Sequence, residues 1–247
     1  RLKLFFLLYY LKSYPTFDVL GSFFGLSRSK SCKNIHTLMP LLHESLLRLK
    51  VMPHREFESV EAFHEAFKDA EALLPDAAER AHQRPLDDEK QRELYSGKQK
   101  DHTVKNTVIS TADRAIRFLG HTMNGCNHDF AMLKEEFPAD KPWFKGILMY
   151  LDLGYTGILK LYEGENIQIP HKKPRKSKNN PNPQLTEEQK EHNRLVGKIR
   201  ILVENALAGL KRYKILVHDF RNKKDNFADD TIAICAGLWN MMIGIEV

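Results

Sequence analysis

Residues 200–216 of the chain read RILVENALAGLKRYKIL. With the residues before it, this stretch predicts one long helix in which Arg200, Glu204 and Lys211 lie within about 40° of one another around the axis. The opposite flank is apolar and predicts a face packed on the core: Leu195, Ile199, Leu202, Val203, Ala206 and Leu210. A carboxylate between two cations on a half-buried helix is suited to hold a metal ion near a phosphate.

A second stretch, 146–157, reads GILMYLDLGYTG. The continuous apolar run predicts a strand buried on both faces. Asp152 follows the run directly, so it is expected at the carboxyl end of a central strand, where sites of α/β proteins usually form. The alternative is an aspartate that only caps the turn.

Residues 70–76, AEALLPD, predict a short buried strand that ends in the carboxylate of Asp76. Pro75 precedes it, and a proline cannot donate a hydrogen bond to a sheet ladder. From the residues alone, a turn aspartate is the simpler interpretation of Asp76.

Residues 94–106, LYSGKQKDHTVKN, predict a hairpin that turns at Gly97 and leads into a strand. Lys98, Lys100 and Lys105 either face phosphates or line a solvated strand edge. Residues 115–123 predict a third strand. Asp129 then opens a helix, where it either caps the helix or supports a site.

The first 50 residues have a helical pattern throughout. Thr16 is expected to cap a second helix, Gly25 to end it, and Ser27 to cap a third helix. The outer face of that third helix carries polar and basic residues, among them Arg28, Lys30, Lys33 and Asn34. This arrangement is typical of a helix-turn-helix motif, and a small helical bundle with a solvated face is the alternative.

Residues 171–183, HKKPRKSKNNPNP, form a basic loop without an apolar anchor. Such loops are usually solvated and mobile, but a loop this basic, between the last strand and the Glu204 helix, could also bind a DNA backbone. Five basic residues would make that contact: Lys172, Lys173, Arg175, Lys176 and Lys178. Thr186 and Gln189 predict a capping box at the start of the long helix, and residues 225–242 predict a helix that covers the sheet.

Length and composition set the frame for these elements. A chain of 247 residues can form one α/β domain and a small accessory domain. The formal net charge of +6 favours a polyanionic partner. Three separated cysteines predict reduced, buried thiols in a cytoplasmic protein. The apolar run after Arg1 predicts a core helix, and no run is long enough to predict a membrane span. Because the first residue is not Met, the sequence is expected to be a fragment or to lack its first segment.

Several of these segments resemble the DDE transposases of bacterial insertion sequences. The motif DLGYTG at 152–157 is similar to the family's second catalytic motif, and 200–216 resembles the end of its catalytic core. Residues 94–106 resemble its second-strand phrase, 77–85 the stretch after its first catalytic aspartate, and 14–42 its helix-turn-helix. The chain departs from the pattern at Asp101, where a basic residue is usual, and at Gly197, where a tyrosine is usual.

The resemblance implies an α/β fold, an RNase H-like mixed sheet flanked by helices and preceded by a small all-α helix-turn-helix domain. The implied boundaries are 1–50 for the DNA-binding domain, 51–69 for a linker helix and 70–247 for the catalytic domain. Asp76, Asp152 and Glu204 would bind Mg²⁺ or Mn²⁺, and Arg200 and Lys211 would touch phosphates or orient Glu204.

The implied function is transposition, in which cleavage at the element's ends frees a 3′-hydroxyl that attacks target DNA. The implied partners are double-stranded DNA, as terminal inverted repeats and as target, and further copies of the chain, as a homodimer or larger assembly on the nucleoid. Two alternatives are a domesticated DNA-binding protein with an inactive nuclease core and a nuclease of the same fold that does not transpose.

Overall fold

The computed structural model describes residues 1–162, 166–178 and 180–247. It begins with three helices, α1 (Leu2–Ser13), α2 (Phe17–Phe24) and α3 (Arg28–Arg48). The hydroxyl of Thr16 accepts the backbone N–H of Val19, and that of Ser27 accepts the N–H of Lys30, both at 3.3 Å. Gly25 ends α2 in the left-handed conformation, with φ of 67°. The helix-turn-helix prediction is confirmed. In the described ranges no helix is both long and apolar enough to span a membrane.

The remaining helices are α4 (Val60–Ala66), α5 (Asp88–Leu94), α6 (Asp129–Glu136), α7 (Ile158–Leu161), α8 (Glu187–Leu210) and α9 (Phe227–Ile243). The predicted capping box starts α8, since Thr186 and Gln189 bond to each other's backbone. Helix α9 lies against α3, α8 and the sheet, and buries Ile232, Leu238 and Trp239 as predicted. It also buries Cys235, whereas Cys126 is exposed, so the prediction of three buried thiols is wrong.

The strands form one mixed arrangement. They are β1 (Leu74–Ala81), β2 (Tyr95–Ser96), β3 (Asp101–Ser110), β4 (Ile116–Leu119), β5 (Met123–Asn124), β6 (Met149–Tyr150) and β7 (Ile167–Gln168). Strand β3 pairs antiparallel with β1 on one side and with β4 on the other. Strands β6 and β7 are parallel, and a parallel bridge from Leu73 to Met149 joins them to β1. The order β4-β3-β1-β6-β7 confirms the predicted RNase H-like mixed sheet.

Pro75 is accommodated in β1 by the direction in which its nitrogen points. The N–H and C=O of Leu73 both bond to the β6 side, to Leu148 and Tyr150. Because backbone groups alternate along a strand, the nitrogen of Pro75 faces the same side, and Leu74 and Asp76 maintain the ladder to β3. The proline therefore leaves the β1–β3 ladder intact. Asp76 is the third residue of β1 and not its end, which corrects the expected strand bounds.

The segment 51–69 takes part in packing on both sides of α4. Before the helix, the backbone of His54 bonds to Arg117 and Leu119 along β4, at 2.8 and 2.9 Å. Within and after it, Phe63 and Phe67 are buried in an aromatic core. Helix is confined to Val60–Ala66, because the first part of the segment extends the sheet.

Glu136 of α6 lies under the sheet with both carboxyl oxygens buried and, within the described residues, without a hydrogen-bond partner. Burial raises its pKa to about 7, and the nearby Thr107 and Arg55 oppose the shift. Because this pKa is raised above that of the unfolded chain, the folded state loses stability as the pH rises from about 4.5 through 7.

Glu136→Gln is therefore expected to stabilise the fold at pH 8 by roughly 1–3 kcal/mol and to have little effect at pH 4.5. Urea unfolding at both pH values measures the difference. Glu135→Gln, an exposed neighbour on the same helix, is the matched control. An equal change in the free energy of unfolding at the two pH values would contradict the assignment.

Candidate active site

Asp76 and Asp152 lie side by side at the centre of the sheet. Leu73 and Met149 pair in a parallel bridge. Asp76 lies three residues after Leu73, and Asp152 lies three residues after Met149. The chain stays extended to Asp152, so the two aspartates lie at the same level and on the same face. The expected proximity of these carboxylates follows from strand register.

Asp76 is mostly buried and accepts two hydrogen bonds. The backbone N–H of Ala77 donates to Oδ1 at 2.8 Å, and Nη2 of Arg200 donates to Oδ2 at 3.1 Å. Burial raises the pKa of Asp76, Arg200 and the Ala77 N–H lower it, and Asp152 and Asp129 raise it further. The carboxylates of Asp152 and Asp129 are therefore close enough for their negative charges to act on Asp76.

Asp152 caps the 3₁₀ turn Leu153–Tyr155, because its Oδ1 accepts the N–H of Gly154 at 2.6 Å. A Cβ at position 154 would lie 2.9 Å from that oxygen, so a larger residue there would displace the capping carboxylate. The turn-capping role and the site role of Asp152 coexist, since the cap uses one carboxyl oxygen.

Asp129 is the third carboxylate of the group. It does not cap α6, whose N-cap is His128. Instead, Nζ of Lys105 donates to Oδ1 of Asp129 at 3.1 Å and to the carbonyl of Asn127 at 3.0 Å. Lys105 is 5% exposed, so it is neither a solvated edge residue nor free to face a phosphate. The exposed Lys98 lies 4.0 Å from the other oxygen of Asp129.

Tyr155 completes the centre of the site. Its side chain is fully buried, and its hydroxyl has no hydrogen-bond partner among the residues that the structure describes. Burial is the main reason that the pKa of its hydroxyl lies well above the usual value, and the negative charges of Asp76, Asp129 and Asp152 raise it further. The sequence reasoning missed this residue, although its place in DLGYTG, three positions after Asp152, was the available signal.

Arg200 belongs to the buried stripe of α8, together with Val196, Val203 and Ala206. The sequence placed it opposite the core face, and that interpretation is wrong, since Leu195 is the exposed residue. Glu204 lies one turn farther on and is exposed, as is Lys211 at the end of α8.

The described residues bring Asp76, Asp152 and Arg200 together but do not bring Glu204 into contact with them. Within the described ranges, the side chains of Glu204 and Lys211 form no hydrogen bond or ion pair, although the backbone N–H of Lys211 donates to the carbonyl of Leu207 at 3.0 Å. In the same ranges, no three His, Cys, Asp or Glu side chains are arranged to hold one metal ion. The oxygen-rich pair Asp76 and Asp152 nevertheless has the chemistry that hard divalent cations prefer.

The two predicted DNA-contacting regions differ in their surroundings. On α3, Arg28, Lys30 and Lys33 are exposed, whereas Asn34 is half-buried beside an apolar groove. The loop cations Lys172, Lys173, Arg175, Lys176 and Lys178 are all exposed. Asn193 of α8 anchors the loop by two hydrogen bonds to the backbone of His171, and Asn179 of the loop lies outside the described residues.

Comparison with known proteins identifies the family. Residues 76–240 match the family described as DDE superfamily endonuclease. The chain belongs to this superfamily. Residues 2–48 of the chain match the helix-turn-helix of DDE superfamily endonucleases. The resemblance to the DDE family, with a helix-turn-helix before the catalytic domain, is thereby confirmed.

A curated relative of the chain is the "Probable transposase for insertion sequence element IS702" of Microchaete diplosiphon. The two are 30% identical over 241 residues, which cover 96% of the chain and 78% of the relative. No solved structure matches the chain significantly.

Proposed function

We propose that this protein is the transposase of an insertion sequence, which cuts DNA at the element's ends and joins the freed 3′-hydroxyl to a target. The observation that carries the proposal is that Asp76 in β1 and Asp152, two residues after the end of β6, lie at the same level of the sheet, with Arg200 bonded to Asp76. The name of the relative from Microchaete diplosiphon supports it. In the cell this activity belongs in the cytoplasm, at the nucleoid, and in a homodimer or larger assembly on DNA.

The two aspartates fit a site for Mg²⁺ or Mn²⁺. Divalent ions there supply, when bound, activation of the attacking oxygen and stabilisation of the leaving oxygen. Asp76 and Asp152 would hold the cations, and Glu204 would complete the site from its exposed position on α8. Arg200 holds Asp76 in place, and Lys211 contributes positive charge for phosphates on the same flank of the helix.

The division of labour follows the predicted domains. Residues 1–50 bind the terminal repeats, 51–69 connect the two parts, and 70–247 carry out cleavage and joining. Two alternatives remain testable beside this proposal: a DNA-binding protein with an inactive core, and a nuclease of the same fold that does not transpose.

One assay distinguishes the transposase from the DNA-binding protein with an inactive core and from the nuclease that does not transpose. The purified chain is incubated with Mg²⁺ and a DNA fragment that carries the genomic sequences on both sides of its coding region, together with a target plasmid. Cleavage at repeat ends followed by joining supports the transposase. Cleavage without joining supports the nuclease, and binding without cleavage supports the inactive core.

The exposed cations of α3 are expected to contact the backbone of the terminal repeats. Changing Lys30 or Lys33 to Ala should weaken binding to all sequences and lower the slope of log K against log salt by about 1 each. Asn34→Ala should relax the sequence preference if that amide reads a base. Arg48→Ala, at the far end of the same helix, is the control. If the variant with Ala at Lys30, Lys33 and Asn34 together bound terminal DNA as tightly as the unmodified chain, this helix would not be the one that reads the repeats.

The basic loop is expected to add affinity without sequence preference. Replacing its five cations (Lys172, Lys173, Arg175, Lys176 and Lys178) with Gln should lower the salt slope by up to about 4–5, because each phosphate contact releases counterions. Discrimination between specific and random DNA should stay the same, since phosphate contacts do not read bases. An unaltered slope would show that the loop is only solvated surface.

A further inference from the structure

We propose that the 221–226 turn, RNKKDN, is a second DNA-contacting element beside α3, which binds the sugar–phosphate backbone of the duplex that α3 contacts. The turn lies in the part of the chain that matches the endonuclease, far from the helix-turn-helix in sequence. The inference rests on the proposed function, because it presupposes that α3 contacts the terminal repeats. It adds Arg221, Lys223 and Lys224 to the DNA-binding surface.

The first observation is that the turn lies along one side of α3. Arg28 and His36 lie on that side, about 80° apart around the axis and about 12 Å apart along it. Arg28 lines a cavity of about 250 Å³ together with Arg221 and Asn222. The ring of His36 lies edge-on to that of Phe227, with centroids 5.0 Å apart. The turn therefore accompanies the first half of the helix.

The second observation is that both ends of the turn are anchored. Phe220 and Phe227 flank it, each is 3% exposed, and their ring centroids lie 6.1 Å apart. The backbone N–H of Arg221 donates to the hydroxyl of Tyr14, and its Nη2 donates to the carbonyl of Tyr14, both at 2.7 Å. A loop held in this way loses little conformational freedom when it binds a ligand.

The third observation is the charge that the turn presents. Arg221, Lys223 and Lys224 are exposed, and in the described part of the chain none of them pairs with a carboxylate. The only acid of the turn is Asp225, so three cations and one carboxylate leave a net charge of +2. Burial, followed by the positive charge of Lys224, lowers the pKa of His36, which agrees with the contact between the turn and α3.

The geometry of the major groove gives this position its meaning. A helix in the groove has a phosphate backbone along each side, because the groove is only about 12 Å wide. On one side of α3, Asn34 and Leu38 line a groove shared with Phe6 of α1. The 221–226 turn occupies the other side, so its cations are the groups that meet the backbone there. Such contacts position a protein on DNA but do not read bases.

The test measures binding of the full chain to a terminal-repeat duplex by fluorescence anisotropy over a range of salt concentrations, together with thermal unfolding. For the double variant Lys223→Gln, Lys224→Gln we expect the slope of log K against log salt to fall by about 1–2, because each lost phosphate contact leaves about one counterion on the DNA. The preference for repeat over random DNA should stay the same. The melting temperature should also stay the same, because both side chains are exposed.

The matched control is the double variant Lys141→Gln, Lys145→Gln, which removes the same charge. These exposed lysines precede β6, whereas Asp152 follows it, so they lie at the end of the strand away from the proposed active site. Lys145 and its neighbour Lys141 flank Trp143, which belongs to the aromatic core and not to the core that α3 shares. The slope should not change in this variant.

An unaltered slope in the Lys223, Lys224 variant, when the Lys30 and Lys33 variants do lower it, would overturn the role of the turn and leave DNA binding by α3 standing. An equal fall in the control variant would show that the slope reports only the total charge, and would also overturn the role of the turn. Failure of the unmodified chain to prefer repeat over random DNA would overturn end recognition by α3 and this inference with it.

Discussion

Asp152→Asn is expected to reduce Mg²⁺-dependent DNA cleavage by about 10³-fold or more. Losing a ligand of a catalytic metal site forfeits several kcal/mol of transition-state stabilisation, and each 1.36 kcal/mol is a factor of ten in rate. The amide retains an oxygen that can accept the N–H of Gly154, so the turn and the fold should persist. The measurement is the single-turnover rate on terminal-repeat DNA.

Glu204→Gln tests the remaining carboxylate in the same assay, and a comparable loss is expected if Glu204 completes the site. Glu191→Gln is its control, because Glu191 is an exposed residue of α8 that pairs only with Arg194 in the described part of the chain. DNA binding should be largely unchanged in all three variants. Full cleavage by Asp152→Asn would refute the metal site, whereas full cleavage by Glu204→Gln alone would remove only the third ligand.

The elements that could be predicted from the sequence depend on local signals. A capping hydroxyl lies three residues from the N–H that it accepts, so Thr16, Ser27 and Thr186 fixed three helix starts. The apolar run before Asp152 likewise set the position of that carboxylate in the sheet. The family resemblance was needed to assign Asp76 to the site, because the residues alone favoured a turn aspartate at that position.

The features that could not be predicted depend on partners far apart in the chain. Asp229 accepts hydrogen bonds from Arg55, Asn106 and Thr122, all more than 100 residues before it. The pairing of Lys105 with Asp129 is of the same kind, and it converts an apparent surface lysine into a buried one. No periodicity or spacing encodes such contacts, because they are set by how separate elements pack.

The burial of Arg200 shows the same limit on helix α8. Helical periodicity placed Glu204 and Lys211 on an exposed flank but placed Arg200 there too, because it could not indicate that a carboxylate on β1 would draw the arginine into the interface. A guanidinium can occupy a core stripe when a carboxylate compensates its desolvation. The structure therefore changes the role of Arg200 from a surface cation to one half of a mostly buried ion pair.

Arg200→Ala is accordingly expected to destabilise the metal-free protein by roughly 3–5 kcal/mol at pH 8, since it leaves the buried carboxylate of Asp76 without its cation. The side chains of Arg200 and Asp76 are only 11% and 17% exposed, so water compensates little. Without Arg200 the already raised pKa of Asp76 should rise further. The folded state then binds the proton more tightly than the unfolded chain, so the loss should grow as pH rises and shrink as pH falls.

Urea unfolding of the Arg200→Ala, Asp76→Asn and double variants in EDTA, at pH 4.5 and 8, measures this coupling. The double variant should be more stable at pH 8 than Arg200→Ala alone, because removing the carboxylate's charge removes the unpaired partner. Arg194→Ala, on the exposed side of the same helix, should change the free energy of unfolding little, because exposed ion pairs contribute little to stability. Additive losses in the double variant, or a loss from Arg200→Ala that does not change with pH, would show that the ion pair does not stabilise Asp76.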